Sequence, residues 1–305
     1  MGEFWKIERS NAAWVRQWAR RVRGPAPFIL DEVNRRMVDR AQIMRPAEGG
    51  VLHQGWLHPA VLGPVETLFE GREFMRCAPE ALPLLPPDQH NTVVGVLSRL
   101  WAGWGKSPAS TTAVLPSQPV PLPDASMAMV WSPLWLHHVA DPAFQVQEWH
   151  RILKPDGGLF FSLFGPDTAT ELAGVAQALG VAMPDFPDMH DVGDLLSRLG
   201  FSDPVMEMEK LTLTYAAPQA LLADWRALMG NNLLALGGGV STGLRGKTAL
   251  TQALAELEGL RQNDTGRIPL TLELVYGHAW KVERAPKPGL ATVRLQDIGG
   301  RRGAK

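Results

Sequence analysis

The chain has 305 residues, 45% of them apolar and 20% charged, which is enough to bury a large core and too apolar for wholesale disorder. Thirty basic residues against 31 acidic ones leave a formal charge of −1, so no global field draws it to nucleic acid or anionic lipid, and any electrostatic partner must be met by a local patch. The single cysteine, Cys77, excludes an internal disulfide and a cysteine-only metal site, and no apolar run approaches the ~20 residues that span a bilayer, so the expected location is the cytoplasm.

Met1 to Gly24 reads as an amphipathic helix with Trp5, Trp14 and Trp18 among arginines, without the apolar stretch of a secretory signal. Gly24-Pro25-Ala26-Pro27 ends it. Ile29 to Ile43 is a second helix, with Ile29, Val33, Met37 and Ala41 at helical spacing and arginines opposite. Val51-Leu52 opens a first buried strand. From 51 to 104 prolines punctuate the chain, and only Thr92 to Leu100 reads as ordered. Gly105 to Pro123, rich in Ser, Thr and Pro, reads as an exposed loop.

Beyond it the pattern sharpens. Ser126 to Trp131 is a buried strand, Pro142 to Leu153 a helix, Leu159 to Leu163 a second buried strand and Thr168 to Leu179 a second helix. Strand, helix, Pro-Gly stop and strand is the rhythm of a parallel sheet covered on both faces. Asp191 to Leu199 is a helix, Pro204 to Tyr215 a longer strand, and Pro218 to Met229 and Thr248 to Arg261 are helices flanking a Gly-rich loop. Leu270 to Val282 is the last strand. The expected division is an N-terminal helical segment (1–45), one α/β domain (46–283) and a basic tail (284–305).

Several short motifs fall in order between 121 and 168: Pro121-Leu122-Pro123-Asp124, Val130-Trp131-Ser132, Leu136-His137, Val139-Ala140-Asp141-Pro142, His150-Arg151-Ile152-Leu153-Lys154-Pro155-Asp156-Gly157-Gly158 and Phe164-Gly165-Pro166-Asp167-Thr168. Downstream come Asp188-Met189-His190-Asp191, Leu211 to Tyr215, and Val275-Tyr276-Gly277-His278-Ala279-Trp280. Together these resemble the malonyl-acyl-carrier-protein O-methyltransferases of biotin synthesis, over roughly 120–282. The resemblance implies an α/β, Rossmann-like class I methyltransferase fold, with a seven-stranded, mostly parallel sheet and helices on both faces. The helices at about Thr168–Leu199 and Pro218–Arg261 would form a lid over its cleft. It further implies S-adenosylmethionine as methyl donor and an acidic acyl carrier protein as partner. Cofactor contacts would fall at His53, Gly55, Asp124 and Ser132, and substrate contacts at His137, Asp167, Tyr276 and His278.

One loop departs from the family. The end of the first strand should carry an acid followed by three alternating glycines, and this chain has Val51-Leu52-His53-Gln54-Gly55-Trp56-Leu57-His58-Pro59. His53 stands where the acid belongs, and Leu57 and Pro59 replace two glycines. Of the acids that the second strand should supply, Glu66 and Glu70 are the candidates. Two readings follow: a rebuilt loop that still holds the donor, or a non-catalytic protein that kept the fold as a binding or assembly partner.

The remaining candidates each have two readings. His137 lines the cleft or caps a turn with His138. Asp167 contacts a ligand or caps the helix at Thr168. Tyr276 and His278, two apart on a strand, share a face that meets substrate or packs. His190 and Asp191 bind a metal or cap a helix, and no further ligands stand at metal spacing. Ser241 to Thr248 has the look of a phosphate loop but follows a helix. Arg16 to Arg23 and Arg35 to Arg45 steer an acidic partner or face solvent.

Overall fold

The computed structural model describes residues 28–44, 46–55, 59–77, 109–112, 119–139, 141–179, 183–229 and 244–282. The first helix of the sequence reading, the Thr92 to Leu100 segment and the tail lie outside them. Among the described residues the elements run α1 (Phe28–Ala41), β1 (Gly50–Gln54), α2 (Pro59–Leu68), β2 (Phe74–Cys77), β3 (Ala109–Thr112), β4 (Met127–Ser132), α3 (Pro142–Ile152), β5 (Leu153–Phe164), α4 (Ala173–Leu179), α5 (Met189–Arg198), β6 (Phe201–Tyr215), α6 (Pro218–Met229), α7 (Leu244–Gly259) and β7 (Ile268–Lys281).

The strands form one seven-stranded sheet in the order β3-β2-β1-β4-β5-β7-β6. All neighbours from β3 to β5 pair in parallel, and β7 runs antiparallel to both β5 and β6. The chain winds outward from β1 to one side through β2 and β3, and to the other through β4 and β5. The strand order therefore reverses between β1 and β4, where an open parallel sheet leaves a crevice at its carboxyl edge.

Helices cover both faces. On one face α1 buries Ile29, Leu30, Val33, Met37 and Ala41 into the same core as the sheet. Its buried Asn34 donates to the Val61 carbonyl of α2 at 2.6 Å and accepts from the Trp131 indole of β4 at 2.9 Å. On the other face lies α3, begun by Asp141, which caps the Phe144 amide at 2.9 Å, with Pro142 set where no helical donor is needed. α5 packs against β6 beside it.

Several sequence expectations change: α2 and β2 stand in the segment where only Thr92 to Leu100 read as ordered, and β5 begins at Leu153, so the Pro-Gly stop expected before Leu159 lies within the strand. The stretch read as an exposed loop contains β3, whose Ala109-Ser110-Thr111-Thr112 pairs with β2. An edge strand needs a partner on one side only and tolerates polar residues, so no apolar run marks it. The helix expected from Thr168 begins later: a 3₁₀ turn spans Thr170–Leu172, preceded by Ala169 at φ 58°, and α4 follows. The helix expected from Thr248 already starts at Leu244, inside the stretch with the look of a phosphate loop.

Candidate active site

The carboxyl edge of the sheet at the crevice is built from the ends of β1, β4 and β5. On β1, His53 stands in register with Arg76 of β2 and Trp131 of β4. Its imidazole is fully buried, and neither ring nitrogen has a hydrogen-bond partner among the described residues. Burial, helped by the Arg76 charge, pushes its pKa down to about 3, so the ring is neutral at physiological pH. Gln54 points to the opposite face, as strand alternation requires. It exchanges amide hydrogen bonds with Gln145 of α3 at 3.1 and 3.2 Å and accepts from the Trp149 indole at 2.6 Å. Gly55 follows at φ 143°, and a Cβ there would lie 3.4 Å from the Pro133 carbonyl. A glycine is what this turn needs.

At the end of β4, Ser132 is buried with its hydroxyl unpartnered among the described residues. Leu134 takes φ 45°, a strained value for a branched residue. Two things hold it there: its side chain is buried, and its amide donates to the Ser162 hydroxyl of β5 at 3.1 Å. Trp135, fully buried, places its Cβ 3.7 Å from the Cβ position of Gly55. The β4 loop thus lies directly against the β1 loop.

The 3₁₀ turn Leu136–His138 then buries two imidazoles. His137 lies 4.2 Å from His138, 4.8 Å from Phe164 and 6.0 Å from Phe186, ring centre to ring centre. Burial drives its pKa well below the usual histidine value, with His138 adding to the effect, and burial pushes His138 to about 3.

At the end of β5 the turn Gly165–Thr168 is tied to β7. Glu273, 5% exposed, accepts from the Asp167 amide at 2.8 Å, and Thr168 exchanges hydrogen bonds with the Glu273 backbone at 3.0 and 3.1 Å. A Cβ on Gly165 would stand 2.5 Å from the Glu273 carboxylate, so only glycine lets that carboxylate reach the turn.

The expected site residues are thus dispersed. His53, Gly55, Ser132 and His137 gather at the crevice. Asp124 does not: it precedes β4 at the amino edge of the sheet, exposed and ion-paired with Arg151 at 2.7 Å, a strand's length from the crevice. Asp167 lies at the carboxyl edge of β5, exposed and ion-paired with Lys210, and it caps no helix because none begins at Thr168. Tyr276 and His278 do share a face, but α1 covers it: the Arg40 guanidinium lies 4.1 Å from the centre of the Tyr276 ring, and His278 stacks on Phe160 at 5.6 Å. Both therefore belong to the packing between α1 and the sheet rather than to the crevice.

Glu66 sits in α2, ahead of β2 rather than after it, and pairs with Arg76; Glu70 follows that helix, also ahead of β2. The helix cap beside His190 is Asp188, and no cluster of metal-binding side chains occurs among the described residues. The arginines of α1 are engaged: Arg35 and Arg36 pair with Glu32, Arg36 also with Glu209, and Arg40 with Glu207.

Sequence reasoning passed over Gln54, Ser162 and Glu273. Ser162 and Glu273 had a signal, the first being a lone polar residue within an apolar strand run and the second the one acidic residue of the last strand. Gln54 had none, because its partners lie 91 and 95 residues away.

The crevice suits a methyl donor in its backbone and not in its charge. Gly55 supplies the close turn at the switch point, but β1 carries no acidic residue to pair with the donor's ammonium group.

A strand order reversing between β1 and β4, with β7 antiparallel beside β5, defines a class I methyltransferase fold. A model described as a methyltransferase domain matches residues 103–161. The chain is 41% identical over 197 residues to a malonyl-[acyl-carrier protein] O-methyltransferase of Laribacter hongkongensis, covering 63% of this chain and 62% of that one. It is 36% identical over 205 residues to the protein of that name from Halorhodospira halophila, covering 66% and 68%. Among solved structures, the YcgJ protein of Bacillus subtilis aligns at 16% identity with a TM-score of 0.49, over 83% of this chain and 99% of that one. The chain belongs to the malonyl-[acyl-carrier protein] O-methyltransferase family. It spans about 60% of the length of the first relatives it matches, 62% of the Laribacter protein and 60% of that from Gallionella capsiferriformans. Among the described residues no helix is long and apolar enough to cross a membrane.

Proposed function

We propose that the chain is an S-adenosylmethionine-dependent carboxyl O-methyltransferase acting on a malonyl thioester of an acyl carrier protein, at the entry to biotin synthesis, with a weakened donor site. The observation that carries this is the likeness to the O-methyltransferases at up to 42% identity. The donor supplies an activated methyl group. The protein's part is to hold the two reactants in line and keep water away. Gly55 and Ser132 would bracket the donor between β1 and β4, with Trp135 and Phe164, both fully buried, as the side chains that would keep water from it. No general base is required, since a carboxylate is ionised at neutral pH and attacks directly.

The weakness follows from His53. A neutral imidazole in place of a carboxylate forfeits a charge-assisted hydrogen bond worth about 1.5–3 kcal/mol, roughly one to two decades of affinity. The same observation favours a second reading, a non-catalytic family member that keeps the fold to bind a partner. Partner recognition through the α1 arginines is disfavoured on either reading, because their charges are matched by Glu32, Glu207 and Glu209.

Titration calorimetry with S-adenosylmethionine separates the two readings. Saturable binding below millimolar, followed by methyl transfer to malonyl-acyl carrier protein, is the expected result. No heat at millimolar donor from a folded sample would overturn the enzyme reading and leave the partner reading.

A further inference from the structure

His137 is 3% exposed, and both of its ring nitrogens lack a hydrogen-bond partner among the described residues. Buried polar groups in native proteins are paired as a rule, and an orphan among the described residues calls for an explanation. Packing does not supply one. The rings around it, Phe164, Phe186 and His138, make aromatic contacts with His137 and give its nitrogens no hydrogen bond. The position is telling as well, since the ring stands one short turn past β4, against the last residue of β5, on the edge where parallel sheets receive ligands.

We propose that His137 is a specificity-determining residue that donates its ring N–H to the uncharged carbonyl oxygen of an acyl thioester. The inference deepens the reading above by assigning the thioester end of that substrate a place. The chemistry favours an uncharged acceptor. The ring is neutral, its polar neighbour among the rings around it is a second neutral imidazole, and the others are phenyl rings. A carboxylate brought into such surroundings meets no compensating charge, whereas a carbonyl needs one donor only. The malonyl carboxylate that takes the methyl group accordingly lies away from His137, and the carbonyl is the anchor that aims it.

The test titrates two small thioesters, malonyl-pantetheine and acetyl-pantetheine, into the full chain without donor, so a failure of S-adenosylmethionine binding sinks the proposed function and leaves this experiment standing. His137→Phe is expected to weaken both thioesters by about tenfold, because both present the same carbonyl. Its melting temperature should be unchanged or raised, since no partner among the described residues is lost. His137→Gln keeps an N–H donor and should retain most of the affinity, and His137→Leu serves if the phenyl variant does not fold. Equal affinities in wild type and variant, weakening confined to malonyl-pantetheine, or no binding of either thioester by the wild type would each overturn the inference.

Discussion

His53 is the residue on which the proposed weakening of the donor site rests. Its neighbours in register are a guanidinium-bearing residue and a tryptophan, and the ring is kept neutral by burial. His53→Asp would restore a negative group at the end of β1. In the free protein that carboxylate is buried with Arg76 already committed to Glu66, so the variant should lose about 3 kcal/mol of stability by urea denaturation. Donor added in excess should recover much of that loss, and calorimetry should find S-adenosylmethionine bound about 10- to 100-fold more tightly than by the wild type. A folded variant with unchanged affinity would show that His53 is not what limits donor binding, and Leu57 and Pro59 would be the next residues to revert.

Between elements, the contact that fixes β1 against α3 is the amide pair of Gln54 and Gln145 with the Trp149 indole. Gln54→Leu strands an amide and an indole N–H in the core and should cost about 2–4 kcal/mol, read from the urea midpoint. Gln54→Leu with Gln145→Leu should cost less than the sum of the two single variants, because both partners become apolar together. This network also marks where sequence reading ends. Periodicity alone placed α1, β4, α3, β6 and β7 to within a few residues, because each has an apolar face of its own, and it found the core of β5 but not its first six residues. It placed Tyr276 and His278 on one face of β7, correctly, yet had no means of telling that α1 rather than the crevice lies over that face. β3 escaped notice for the converse reason: an edge strand of Ser and Thr has no apolar face to read. Asp124 was taken for a crevice residue from its place in a motif, whereas position along a strand, not along the chain, decides which edge of the sheet a residue reaches.

Across the whole molecule the buried imidazoles couple folding to pH. His53, His137 and His138 are fully buried and neutral, with pKa values lowered by burial to about 3 for His53 and His138 and well below the usual value for His137. In the unfolded chain each takes up a proton near pH 6.5. A depressed folded-state pKa means that stability is fully present above pH 6.5 and is lost as pH falls toward the folded value, at about 1.4 kcal/mol per pH unit for each ring. Three rings together should cost about 4 kcal/mol between pH 7 and pH 5.5, with close to three protons taken up on unfolding at the lower pH. Urea denaturation at a series of pH values measures the slope directly. His137→Phe removes one titrating ring from the folded core without taking away a hydrogen-bond partner among the described residues, so it should lower the slope by one proton and be relatively more stable in acid than the wild type. A wild-type stability that stays flat from pH 7 to pH 5.5 would mean that the three rings find proton acceptors or solvent in the folded chain. In that case the dry, uncharged crevice on which both the weakened donor site and the carbonyl anchor depend would not exist in solution.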